Sequence, residues 1–152
     1  MPSKKPGDVE ALALSADPLL LYSARIGSIR LLLDHQFRVI KDGRSSWHVS
    51  SVAYRYHLSD VTGRELMGWH WHPGTGTDRP HLHVSEVTIG RHAHVPTGRV
   101  SIEAVLWFLL TDLKVSPTHS HTTDYADVLA AVERPFIRHR RWHARGPGDE
   151  GS

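Results

Sequence analysis

The chain has 152 residues, 39% of them hydrophobic and 22% charged, which fits one globular domain with a substantial core. It contains no cysteine, so disulfides, thiol chemistry and thiolate-held zinc are excluded. No apolar run approaches the ~18 residues of a membrane-spanning helix, and a formal net charge of +2 does not by itself announce nucleic-acid binding.

The opening MPSKKPGDVE carries no apolar segment after its lysines, so it does not read as a secretory signal; a cytoplasmic protein is expected. Residues 1–16 read as a flexible polar tail, 17–143 as a single α+β domain, and 144–152, rich in Gly and acidic residues, as a disordered tail. Within the domain, Ile29 to Ile40 alternates imperfectly as a strand. Asp42-Gly43 follows as a hairpin signal. Trp47 to Leu58 is the clearest strand, because Val49, Tyr54 and Tyr56 favour extended backbone. Residues Ser59 to Gly63 turn the chain into a third strand, Leu66 to His72. His81 to Ile89 makes a fourth. Short connections between consecutive strands favour an antiparallel meander.

Helical periodicity then takes over. Ser101 is a candidate N-cap with Glu103 in the first turn, and Ile102, Val105, Leu106, Leu109, Leu110 and Leu113 recur at helical spacing. Ala104, Trp107 and Phe108 form a second apolar set. Burial between layers is the expected consequence; a partner-binding surface at Trp107 and Phe108 is the alternative. Thr122 or Thr123 caps a last helix from Asp124 to about Arg134, with Val128, Leu129 and Val132 facing the core and Pro135 ending or kinking it. The expected fold is α+β: an antiparallel sheet of four or five strands with two helices on one face.

The distinctive feature is histidine, 13 residues in all. His70/His72 and His81/His83 form two His-x-His pairs, separated by a loop from Pro73 to Pro80 that contains Gly74 and Gly76. Side chains two apart on a strand share a face, so a hairpin would converge all four imidazoles. Two chemistries suit such a patch. Imidazole is a ligand for zinc, copper, iron and nickel, with Asp78 or Glu86 available as a carboxylate. Alternatively, His81 and His83 supply the acid and base of metal-independent RNA cleavage, with Arg79 stabilising phosphate charge and His70 and His72 in support. A solvated sheet face is the unspecialised alternative. The pairs His92/His94 and His119/His121 read as solvated loop residues.

Tyr54-Arg55-Tyr56-His57-Leu58, the Gly63 turn, Glu65-Leu66-Met67-Gly68-Trp69, Pro80-His81-Leu82-His83 and the helix at 101–113 together resemble the TumE-type toxins of bacterial toxin–antitoxin pairs, over about residues 47–113. The resemblance implies a growth-inhibiting protein with an antitoxin partner, acting on RNA, and His81 and His83 are the positions that match best. Trp47-His48-Val49-Ser50 and Leu82-His83-Val84-Ser85 also look like the paired His-x-Ser/Thr motif of two-histidine phosphoesterases. The segment from Arg134 to Arg145 is the one dense basic-aromatic stretch. There Arg138, Arg140, Arg141 and Trp142 are candidates for nucleic-acid contact; docking of the aromatics on the core is the competing reading. The functional expectation is a toxin-like, RNA-directed protein using histidine acid/base chemistry. A non-catalytic metal- or partner-binding module, holding zinc or another divalent transition metal, is the alternative.

Overall fold

The computed structural model describes residues 7–13, 16–41, 47–75, 77–84, 94–116 and 125–139. They form an α+β fold: a seven-stranded sheet and two helices. The strands are β1 (Val9–Ala13), β2 (Leu19–Ser23), β3 (Gly27–Lys41), β4 (Trp47–Asp60), β5 (Glu65–Trp71), β6 (His81–Val84) and β7 (His94–Pro96); the helices are α1 (Ile102–Thr111) and α2 (Tyr125–His139). The sheet runs β1-β3-β4-β5-β6-β7, and β2 also pairs with β3. Every pairing among the described strands is antiparallel.

Seven strands replace the expected four or five. The extra ones are short, and their sequences carry little alternation of their own. β1 comes from the segment read as a polar tail and pairs Val9–Ala13 with Asp34–Arg38; β2 pairs Leu19–Ser23 with Gly27–Leu31. Both lie along one long strand, β3, whose backbone donors and acceptors need partners. β7 is three residues long and places His94 opposite His83, so His94 belongs to a strand and not to a loop. His92, His119, His121, the Asp42-Gly43 turn, Thr122, Thr123 and the 144–152 tail lie outside the described residues.

Strand alternation sorts the sheet into two faces. The core face carries Ile29, Leu31 and Leu33 from β3, Tyr54, Tyr56 and Leu58 from β4, and Trp69 and Trp71 from β5, all buried. Cross-strand register stacks them in rows, such as Leu33–Tyr56–Trp69. α1 presses Val105 and Leu109 into this cluster. Ser101 caps it, its Oγ accepting from the Ala104 N–H at 3.0 Å. Phe108, read with Trp107 as a partner-binding candidate, packs edge-on against Trp69 at 5.7 Å between ring centroids, whereas Trp107 is 42% exposed. The two therefore have different jobs, since adjacent helical positions point about 100° apart.

α2 also departs from expectation. It runs through Pro135 to His139. A proline removes one helical N–H, but its fixed φ near −65° is itself helical, so the helix continues. Val128 and Val132, assigned to its core face, are 46% and 54% exposed. Leu129 and Tyr125 join Leu106, Leu110 and Leu31 around an apolar cavity of about 250 Å³. Glu133 Oε1 accepts from Ser101 Oγ at 3.2 Å, tying α2 to the cap of α1.

One polar network is buried on the core face. Register slips between Gln36 and Phe37, so that Gln36 pairs with Ala53 and Phe37 with Ser51. This bulge turns Ser51 onto the face of His35. His35 Nε2 lies 2.9 Å from Ser51 Oγ, and its Nδ1 lies 2.6 Å from Tyr56 Oη. Both ring nitrogens are partnered, which is what a buried imidazole requires. Burial lowers the His35 pKa, opposed by the Asp34 carboxylate. It also raises that of the fully buried Tyr56, so neutral forms are favoured inside.

Candidate metal centre

The opposite face of β4, β5 and β6 carries the histidines. Register places Arg55, His70 and His81 in one row, and His57, Gly68 and His83 in the next. A tight turn and a longer loop flank these strands. Between β4 and β5, Asp60 Oδ1 accepts the backbone N–H groups of Thr62 (2.9 Å) and Arg64 (3.0 Å), and Gly63 takes φ +87°. Between β5 and β6, Asp78 Oδ1 accepts the Gly74 N–H at 2.7 Å, the Asp78 carbonyl accepts from Trp71 Nε1 at 3.1 Å, and Gly74 takes φ +85°. These are the positive-φ positions that glycine fills without strain.

Three rings converge. His70, His81 and His83 each offer a nitrogen, and the three atoms lie within 4.8 Å of one another. Ring centroids are 4.3 Å apart for His70 and His83, 5.0 Å for His81 and His83, and 5.9 Å for His70 and His81. A tetrahedral zinc centre with bonds of about 2.0–2.1 Å spaces its ligands about 3.4 Å apart. The spacing here, up to 4.8 Å, is wider than that, with the rings presented from the paired strands β5 and β6.

The partners around the rings set their tautomers. His81 Nδ1 lies 2.8 Å from the Arg79 carbonyl oxygen. A carbonyl only accepts, so Nδ1 carries the proton and the neutral ring holds its lone pair on Nε2. Glu65 Oε1 lies 3.5 Å from His83 Nδ1, while Glu65 Oε2 accepts from His57 Nε2 at 2.7 Å. Metal-bound histidines characteristically hold a carbonyl or carboxylate on the nitrogen away from the metal. His70 Nε2 is buried and has no hydrogen-bond partner. Burial, helped by the neighbouring His83, His81, His72 and His57, pushes the His70 pKa down to about 3. Its imidazole is therefore neutral, the form that binds metals.

The other candidates from the sequence fall elsewhere. His72 sits beside His70, with centroids 5.9 Å apart, but outside the converging set. Asp78 is spent on the loop, and Arg79 contributes its carbonyl while the residue itself is exposed. Arg138 lies in α2, and Arg140, Arg141 and Trp142 lie outside the described residues. Sequence reasoning did not select Glu65, His57 and Gly68. The signal was there in part: His57 shares a strand face with Arg55, and pairing β4 to β5 in register brings both next to His70.

No family model, curated protein or solved structure matches the chain. Function must be read from the site.

Proposed function

We propose that this protein binds a divalent transition metal, zinc by ligand type, through His70, His81 and His83. The observation that carries this reading is the convergence of three histidine nitrogens within 4.8 Å on one sheet face. The chemistry of the set supports it: three imidazole nitrogen donors suit zinc, copper or nickel, and a chain without cysteine has no thiolates to offer. The helices support it too. α1 packs on the core face and α2 borders the same cavity as Leu31, so we place both helices on one side of the sheet and the histidines on the other.

The RNA-directed reading uses the same His81 and His83. It needs an acid and a base on opposite sides of a scissile phosphate. Here the two rings stack at 5.0 Å with 28° between their planes, and His81 is only 6% exposed. That arrangement suits a shared small ion better than a bound polynucleotide. RNA and an antitoxin protein are the partners that the toxin resemblance implies, in a cytoplasmic setting. Among the described residues no helix is long and apolar enough to cross a membrane.

The test is direct. Protein purified without an affinity tag is dialysed and its metal measured by plasma emission spectroscopy. About one zinc per chain, lost in His70→Ala and His81→Ala, supports the centre. Metal-free protein that takes up no added Zn²⁺ and cleaves RNA in the presence of chelator favours the acid/base reading instead.

A further inference from the structure

Three histidines would leave zinc short of a fourth ligand, and the Glu65 carboxylate borders the same space as the His70 donor atom. We propose that the centre is open: its fourth ligand is a water, or another oxygen donor that still carries a proton, held by a hydrogen bond to Glu65. This inference rests on the metal-binding reading above.

Gly68 is the key position. It lies on the histidine face, in register between His57 and His83. A Cβ built there would stand 3.0 Å from His70 Nε2 and 3.5 Å from Glu65 Oε2. The missing side chain thus leaves one small space that the His70 donor atom and the Glu65 carboxylate both border. It also lets the His70 ring lean back along β5 towards His83, which is why those centroids are the nearest pair at 4.3 Å. Glycine is otherwise a poor strand residue, and its φ here is not in the left-handed region, so backbone geometry does not call for it. Close approach of side chains does.

Glu65 stands beside the donors without joining them. Among the described residues the converging set is the three histidines. Glu65 reaches across from His83 Nδ1 to His57 Nε2, so its carboxylate is already engaged beside the donor set. Zinc prefers four ligands. Three protein ligands plus an exchangeable oxygen is the pattern of open sites, whereas structural sites are closed by four protein side chains. A carboxylate can only accept a hydrogen bond, so the oxygen it selects must bear a hydrogen. Water qualifies, as do an alcohol or a hydroxamic acid; a bare anion such as acetate is repelled.

Cobalt(II) reports coordination directly through its visible spectrum. The full-length protein is loaded with Co²⁺ and titrated with neutral acetohydroxamic acid, then with acetate. In the wild type, acetohydroxamic acid shifts the visible bands saturably in the millimolar range and acetate does so at least 10-fold more weakly. Glu65→Gln keeps Co²⁺ but loses this preference for the protonated ligand by at least 10-fold. Gly68→Ala keeps or raises the melting temperature of the metal-free protein, yet weakens Co²⁺ binding at least 10-fold, because the new methyl group displaces the His70 ring. A wild-type Co²⁺ spectrum that ignores both ligands means that a protein side chain fills the fourth position, and overturns the open site while leaving the metal centre standing. So does a Glu65→Gln protein with unchanged preference. Wild-type protein that binds no Co²⁺ removes both readings together.

Discussion

On one side of strands β3, β4 and β5, the row Leu33–Tyr56–Trp69 is buried under α1; one residue along each strand, the opposite side carries Asp34, Arg55 and His70. The two faces share every backbone hydrogen bond and differ only in side chains. The core face is held by apolar area, and its polar groups, His35 and Tyr56, bond to each other. The histidine face leaves the His70 Nε2 atom buried without a hydrogen-bond partner. Burying an imidazole nitrogen this way costs free energy, so the second face gives up stability where the first gains it. A local breach of the rules for a stable sheet is a common mark of a functional site.

The largest effect should come from the core face. Leu31→Ala is expected to lose about 2–5 kcal/mol, the range for a buried leucine whose cavity only partly collapses, measured by urea denaturation of metal-free protein. His70→Ala should leave that denaturation curve within about 1 kcal/mol, because it removes an unpartnered nitrogen. Its effect should appear in metal affinity instead, which is expected to fall by more than the 10–100-fold typical of losing an outer hydrogen-bond partner. A His70→Ala protein as unstable as Leu31→Ala would erase the distinction between the faces.

Tyr56→Phe tests the core network at smaller scale. It leaves His35 Nδ1 without its 2.6 Å partner, and the expected loss is about 1–3 kcal/mol. Acidification then acts on both faces. His35 and His70 have folded-state pKa values below the ordinary 6.5, by burial first in each case, His70 reaching about 3. The unfolded chain therefore binds more protons than the folded one below pH 6.5, and stability falls as pH drops through that window towards 3. Above pH 7 these two groups contribute no slope. A denaturation midpoint that rises on acidification from pH 6.5 to 5 would contradict the buried, neutral state of both rings.

The smallest effect should be at Trp107. It is 42% exposed on α1, so Trp107→Ala should change stability by no more than about 0.5 kcal/mol. Phe108→Ala should cost about 3–5 kcal/mol if its contact with Trp69 is worth what a packed aromatic normally is. Equal losses for the two would return Trp107 to the core; a neutral Trp107→Ala that weakens association with a partner protein assigns it to a surface.

Much of the fold was legible. Three of the main strands and α1 lie within a few residues of the expected bounds, and the fourth begins at His81 as expected, with 85–89 outside the described residues; alternation on β4 and helical spacing from Ile102 to Leu113 are strong periodic signals. Ser101 was legible as a cap for the same local reason. β1, β2 and β7 were not, since three to five residues carry too little pattern to stand out and their stability comes from pairing with β3 and β6. Helix α2 does not end at Pro135, and Val128 and Val132, expected on its core face, are exposed, because which helix face is covered depends on tertiary packing and not on spacing alone.

The site divides along the same line. The sequence by itself determined that His81 and His83 share a face, as do His70 and His72, because strand geometry alternates side chains every residue. It also determined that no metal held here can rely on thiolate donors. Only the tertiary structure decided which histidines meet. Hairpin register sets His70 opposite His81 and Gly68 opposite His83, and a shift of one residue would have sent His70 to the core face. Register also brought Glu65 and His57 to the rim from positions that no local spacing links to the pair at 81 and 83, because contacts between strands depend on turn geometry and not on distance along the chain.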